Sequence, residues 1–312
     1  MGNATFSIAA VSALTGLTKE VLRKWETRYG FPVPERDAVG HRKFSQEQLQ
    51  RLRMIKTLLD GGLRAHAVVP LTLEQLQAAC VSISSVPQSV LSLADTAHLI
   101  TALQAGDPQE IEAFLNGRLT DLGLRNFILQ MVPSINTLVG QAWADGRIGV
   151  RNEHLYTERI KSILRHEIAA ITVPKTGPRV LLATPPGETH TLGLLLVETL
   201  LHLEGADCVP LGAELGADEI VLAAAQYQID IVALSFSHSF PLKSITSFLK
   251  QLRAKLPPAT VIWGGGAGVV RLGGVLPGVE LITEIDRVAQ ALRRVCDAMP
   301  PKQAPSTSLV PQ

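Results

Sequence analysis

From residue 179 onward the chain alternates short apolar runs with longer helical stretches, and few folds accept that alternation. Apolar runs fall at 180–183, 206–210, 231–235, 261–263 and around 280–282. A run such as 180–183, apolar at every position and without a period of two, fits a strand covered on both faces. Helical stretches at 194–203, 217–228, 242–255 and 284–299 fill the intervals. Strands joined by helical crossovers make a flavodoxin-like, Rossmann-type five-stranded parallel sheet, expected here over 177–299.

Such a sheet offers ligands the loops that leave the carboxyl ends of its strands. The first of these loops contains Glu188, Thr189, His190, Thr191, Leu192 and Gly193. It sets an imidazole at that edge, with a carboxylate two residues before it. Alone, the stretch reads equally as an exposed loop histidine, with Gly193 easing the helix start. The third loop carries Ser235-Phe236-Ser237 and the fourth Gly264-Gly265-Gly266. Three loops at one edge therefore bring a potential ligand, hydroxyls and bare backbone toward the same place.

The amino-terminal end has a different character. Residues 1–75 hold 11 Lys/Arg against 7 Asp/Glu, within a chain of net charge +1. That local excess suggests a polyanion partner. Residues 6–14 read as a short helix and 15–17 as a turn. Thr18 then caps a second helix over 19–28, which carries Lys19, Arg23, Lys24 and Arg28. Trp25 and Tyr29, four apart, share a face of it. Pro32 and Pro34 stop it. Residues 37–44, with Gly40, His41, Arg42 and Lys43, read as a hairpin with a basic arm. Ser45 caps a further helix over 47–60, ended by Gly61-Gly62. A last helix is expected over 61–76, and a linker over 77–89.

Residues 90–173 read as a four-helix bundle. Asp107-Pro108 gives one helix a cap and a proline at its first position. The stretch 122–144 is long, with Pro133 as its expected kink. Trp143 ends one helix, while Glu153 and His154 begin the next. A core Trp with a capping Glu is the plainer reading of that end. Residues 300–312, rich in Pro, Ser and Gln, read as a disordered tail.

Composition excludes other classes. The chain is 46% hydrophobic and 18% charged, which fits a globular protein of two or three domains over 312 residues. Its three cysteines, Cys80, Cys208 and Cys296, form no Cys-x-x-Cys pair, so neither a thiolate zinc site nor a disulfide framework is expected. The sequence has no basic-then-apolar leader and no apolar run of membrane-spanning length, so a soluble cytoplasmic protein is expected.

The motif Leu22-Arg23-Lys24-Trp25-Glu26-Thr27-Arg28-Tyr29-Gly30-Phe31-Pro32, with Arg36 and Gly40-His41-Arg42-Lys43-Phe44, resembles the winged helix-turn-helix of MerR-type transcription regulators. The resemblance covers about residues 5–75. It implies that Arg23 and Arg28 meet double-stranded operator DNA from the helix, and His41, Arg42 and Lys43 from the wing; Lys19 and Lys24, as further cations of the helix, and Tyr29 are expected at the same DNA. MerR-type metal sensors continue into a coiled coil with ligand cysteines, and this sequence has neither.

The three carboxyl-edge loops resemble the cobalamin-binding domain of B12-dependent methyltransferases, mutases and photoreceptors. In this order, behind a MerR-type head and a bundle with Trp143, Glu153 and His154, they resemble the CarH/LitR group of light-responsive repressors. The resemblance implies His190 as the lower axial ligand of cobalt, with Glu188 orienting it. It implies Gly193, Ser235, Ser237, Gly264 and Gly265 around the cofactor's tail, and Trp143, Glu153 and His154 on the upper ligand. The cofactor implied is adenosylcobalamin, with methylcobalamin and hydroxocobalamin as alternatives. A homo-oligomer, dimer or tetramer, would then lose DNA affinity when light removes the upper ligand, without enzymatic activity. The resemblance breaks at Ala144, where the photoreceptors have a His that can bind cobalt after photolysis. Light-independent cobalamin or redox sensing therefore stays open, as does a degenerate sensory domain answering to a protein partner.

Overall fold

The computed structural model describes residues 5–37, 39–60, 63–83, 90–272 and 274–299. They form two compact units, residues 1–170 with 237–242, and residues 171–236 with 243–312.

The first unit begins with a strand where the sequence predicts helix. Thr5–Ser7 (β1) pairs antiparallel with Arg42–Ser45 (β3), and Ser7 then caps Ile8–Thr15 (α1) by accepting the Ala10 N–H at 3.2 Å. Three residues are too few to show a period, so the strand exists only through its partner. Thr18 caps Lys19–Tyr29 (α2) as expected, and Glu35–Arg36 (β2) completes the sheet in the order β1-β3-β2. Ser45 accepts the Gln48 N–H at the start of Gln46–Asp60 (α3).

The single helix expected over 61–76 is instead two. Ala65–Val68 (α4) stops before Pro70, and Leu73–Ile83 (α5) extends into the stretch read as linker. Proline cannot continue a helix that needs its N–H, and Thr72 opens the next one by accepting the Gln75 N–H. The expected stop at Gly61-Gly62 and the rest of the linker, 84–89, lie outside the described residues. Leu22, Trp25, Phe44, Leu52, Ile55, Val69 and Leu76 are buried together in the head's core. Burial of a side chain of this size stabilises by about 1.5–3 kcal/mol.

The bundle comprises Leu93–Ala105 (α6), Pro108–Asn126 (α7), Val132–Ala144 (α8) and Val150–Ala170 (α9). Ser92 and Asp95 form a reciprocal capping box on α6, and Asp107 caps α7 ahead of Pro108. The kink expected at Pro133 is displaced. Gly123 adopts φ 71° and ψ 156° inside α7, a π-helical turn follows at Phe127–Met131, and Pro133 sits in the first turn of α8. There its missing N–H costs little, because the first turn of a helix has few N–H groups bonded within it. Within the same unit α3 packs against α8. Arg53 of α3 is only 6% exposed. Its Nη1 occupies the space that a Cβ at Gly146 would need, 2.9 Å away, and its Nε has no hydrogen-bond partner among the described residues.

The second unit holds Arg179–Ala183 (β4), Leu192–Leu203 (α10), Asp207–Gly212 (β5), Ala217–Gln226 (α11), Ile231–Ser235 (β6), Leu242–Lys255 (α12), Val261–Gly265 (β7), Ala267–Val270 (α13), Glu280–Ile282 (β8) and Val288–Ala298 (α14). The parallel sheet runs β5-β4-β6-β7-β8, the flavodoxin-like order expected from the sequence. Val180, Leu181, Leu182, Ala183, Ile231 and Val232 are fully buried, which is why these strands show no alternation. The tail at 300–312 lies outside the described residues. Among the described residues no helix is long and apolar enough to cross a membrane.

Candidate functional site

Three places carry the candidate residues. In α2, Leu22 and Trp25 point inward while Lys19, Arg23, Lys24 and Arg28 stand exposed. That division follows from helical spacing, since positions three apart share a face and their neighbours turn away. Tyr29 is half-buried against the core, and the Arg28 guanidinium lies 5.4 Å from its ring centre.

The wing is organised by carboxylates. Asp37 Oδ1 accepts the N–H groups of Val39 and His41 at 3.1 and 2.8 Å, and Asp37 Oδ2 lies 3.7 Å from both His41 Nδ1 and Lys43 Nζ. The His41 N–H, ahead of the weaker opposing effect of desolvation, holds the Asp37 carboxyl below its ordinary value. His41 stays 76% exposed. Arg42 is held differently. Its Nε donates to Glu26 Oε2 at 2.9 Å and its Nη2 to Glu26 Oε1 at 3.5 Å, so this cation braces the wing onto α2. Among the wing and helix cations expected at DNA, Arg42 is thus turned inward to the frame.

At the bundle's end, Trp143 and the buried Ala144 close α8, and the N–H of Gly146 donates to the Trp143 carbonyl. Asn152, 5% exposed, accepts the Gly149 N–H and donates to the Leu103 carbonyl, pinning the loop that follows. Glu153 accepts the Thr157 hydroxyl at 2.8 Å and lies 3.5 Å from the exposed His154. Burial, then the Glu153 charge, raises the Tyr156 phenol above its ordinary value, and its hydroxyl donates to Asn136 Oδ1.

The second unit gathers the other candidates at its carboxyl edge. Glu188 is 1% exposed, and its Oε1 meets both the His190 backbone N–H, at 3.0 Å, and His190 Nδ1, at 2.6 Å. The imidazole itself is 69% exposed. A buried carboxylate therefore fixes the ring's position while its far side faces outward.

Ser235 Oγ lies between two glycines. A Cβ at Gly193 or at Gly266 would come within 3.1 Å of it, and one at Gly266 would also stand 2.5 Å from the Phe236 carbonyl oxygen. With φ 89°, Gly266 needs the freedom that only glycine has. Gly264 differs from that expectation. Its missing Cβ faces Leu281 and Leu249, so it serves packing under the sheet edge, and Gly265 meets only backbone at 3.6 Å or more. The third glycine of the run is the one that borders the Ser235 hydroxyl. Ser237 shares a hydrogen bond with Ser239 at 3.0 Å.

Sequence reasoning missed Thr184 and Glu214. Thr184 is fully buried at the end of β4, and its hydroxyl donates to the Glu188 carbonyl and accepts the Glu214 N–H. Glu214 holds φ 60°, and its Oε1 accepts the Gly187 N–H. The apolar run before Thr184 gave no sign of this role, because the partner turn lies thirty positions on.

Comparison with known proteins agrees with this geometry. Residues 6–71 match the MerR HTH family of regulatory proteins, and residues 178–271 match the B12 binding domain. The chain is 28% identical over 272 residues to the HTH-type transcriptional repressor CarH of Myxococcus xanthus, spanning 86% of this chain and 90% of CarH. It is also 28% identical over 270 residues to the repressor CarA of the same organism, spanning 84% and 88%. Among solved structures, the monomethylamine corrinoid protein of Methanosarcina barkeri aligns with a TM-score of 0.48 at 14% identity, covering 66% of this chain and 97% of that one. A MerR-type helix-turn-helix and a B12-binding domain thus lie on one polypeptide.

Proposed function

We propose that this chain is a cobalamin-dependent transcription regulator, a light-responsive cytoplasmic repressor that binds operator DNA as a dimer or tetramer. The Glu188–His190 pair carries the reading. Donation from Nδ1–H to the buried Glu188 fixes the tautomer that puts a lone pair on Nε2, the form in which imidazole binds a transition metal. The site's residues fit a corrinoid. The donor is an imidazole nitrogen, and Gly193 and Gly266 pack so closely on the Ser235 hydroxyl that the loops meet there with no side chain standing over them.

His190 serves as the cobalt lower ligand in this reading. Gly193, Ser235, Gly265 and Gly266, with Ser237, would border the cofactor's tail, Gly264 would pack beneath them, and Trp143, Glu153 and His154 would contact the cofactor from the bundle. When bound, adenosylcobalamin supplies a cobalt–carbon bond that light cleaves. The chain's own part is to hold, orient and shield, so no residue is assigned a catalytic role. Lys19, Arg23, Lys24, Arg28 and Tyr29, with His41 and Lys43, supply the DNA contacts, and Arg42 holds the wing that presents two of them. Residues that contact the bound cofactor would favour one assembly over another, and DNA affinity would follow that population.

Ala144 favours a second reading, a cobalamin sensor that does not use light. It is buried at 3% exposure and offers no ligand atom beside Trp143. The experiment that separates the two is an absorption spectrum of the full chain, loaded in the dark with adenosylcobalamin, before and after green light. His190→Ala is the control, and oligomer size is followed in parallel. A bound spectrum that depends on His190 and changes together with size supports the photoreceptor. Binding without a light-driven size change supports the second reading. Failure to bind cobalamin removes both.

A further inference from the structure

The loop that carries His190 is eight residues of chain between β4 and α10, and such loops move unless something inside the fold ties them. Here the tie is Thr184. Its backbone N–H donates to the Gly212 carbonyl at 3.0 Å, and its carbonyl accepts the Leu215 N–H at 2.9 Å. Its hydroxyl donates to the Glu188 carbonyl at 2.5 Å and accepts the Glu214 N–H at 3.0 Å. Thr184 thus bonds the end of β5 once, the turn after it twice, and the Glu188 carbonyl of the His190 loop once. The β4–β5 register shifts just before it, between Leu182 and Ala183, so that Thr184 arrives opposite the turn.

The turn in question is held in an unusual state. Glu214 adopts φ 60° without being glycine, a conformation that persists only where surrounding bonds fix it. Its N–H is fixed by Thr184, and its side chain reaches back to the Gly187 N–H of the His190 loop at 3.3 Å. The chain of bonds runs from the Glu214 N–H through the Thr184 hydroxyl to the Glu188 carbonyl. The Glu188 carboxylate then fixes both the backbone and the ring of His190.

We propose that Thr184 is a positioning residue for cobalt ligation, setting the height and angle of His190 by cross-linking its loop to the turn at Glu214. The proposal rests on the reading of His190 as the cobalt ligand. Thr184 touches neither metal nor ring. It acts because a hydroxyl is the smallest side chain group that both donates and accepts, and both capacities are used. Valine has its shape with neither capacity, and serine keeps both.

The test uses the full chain and hydroxocobalamin, read by affinity and by the absorption bands that report nitrogen ligation, with hydrogen exchange of residues 186–190 measured in the cofactor-free protein. Thr184→Val should weaken cobalamin binding about 10- to 100-fold, the range for losing an outer group behind a metal ligand, and should speed exchange in the loop. Thr184→Ser should restore both to within about threefold. If Thr184→Val fails to fold, Thr184→Ala, which removes the hydroxyl without adding an apolar group, replaces it. Wild-type affinity and wild-type ligation bands in the hydroxyl-less variant overturn the proposal, as does unchanged exchange in its cofactor-free loop. If the wild type does not take up hydroxocobalamin, the His190 reading fails, and the proposal fails with it as a statement about cobalt. In that case the exchange arm still decides whether Thr184 ties the loop.

Discussion

The basic face of α2 and the carboxyl-edge loops present their candidate groups in opposite ways. In α2 the frame and the working residues occupy different positions of one helix, with Leu22 and Trp25 inward and Arg23, Lys24 and Arg28 outward. At the carboxyl edge the working residue is inseparable from the frame, because His190 is placed by Glu188, whose carbonyl is placed by Thr184. A helix surface can therefore be altered one side chain at a time, whereas the loop behaves as a network in which each bond supports the next. Arg42 is the exception on the first surface, a wing cation spent on the frame through Glu26.

The sharpest way to break this contrast lies at Gly266. Gly266→Ala places a Cβ 2.5 Å from the Phe236 carbonyl oxygen at φ 89°, and should destabilise the second unit by about 2–4 kcal/mol. Urea unfolding measures it, and a loss under about 1 kcal/mol would show the edge to be softer than described. On the other surface, Arg23→Ala combined with Arg28→Ala should leave stability within about 0.5 kcal/mol. The same change should lower the slope of log affinity against log salt by about 2. Titrations of operator DNA between low and moderate salt supply the slope, and an unchanged slope would remove these residues from the interface.

A smaller effect is expected at the exception. Glu26 and Arg42 are 30% and 26% exposed, so Glu26→Gln should cost no more than about 1 kcal/mol without lowering DNA affinity. A large affinity loss would instead make wing placement critical to binding. The smallest effect concerns pH. Burial first, and then the Lys175 charge, lowers the proton affinity of His202 in the folded chain. Between the unfolded value near about 6.5 and the lower folded value, the unfolded chain binds more protons. Stability from this residue is therefore complete above that window and declines as pH falls through it. His202→Gln should flatten that part of the stability–pH curve, and an unchanged curve would assign the slope to other groups.

The sheet and its order were legible because fully buried strands write continuous apolar runs, and helical crossovers force them parallel. Cation positions on α2 were legible for a similar reason, since one period governs both faces. What escaped was whatever depends on a distant partner. The three residues of β1 become a strand only beside Phe44 and its neighbours, and α5 runs to Ile83 through a stretch whose Ser and Val content suggested a linker. Pro133 drew attention to a kink, while the break came at Gly123, where a residue without a Cβ can leave helical geometry. The motif identified Glu188 and His190 as a pair but not Thr184, whose role is made by bonds to residues 212–215.

The buried guanidinium of Arg53 has a consequence for how such chains recombine. Because it fills the space beside Gly146, α3 and the loop after Trp143 are fitted to each other. A head exchanged between relatives at the stretch joining residue 83 to residue 90 would meet a foreign loop there. A side chain at 146 would push the Arg53 guanidinium aside and strain a backbone at φ 75°, and a small apolar residue at 53 would leave that space empty. Recombination that keeps function should then place its crossover after residue 170, so that operator choice and bundle travel as one heritable block while the sheet unit is exchanged behind them.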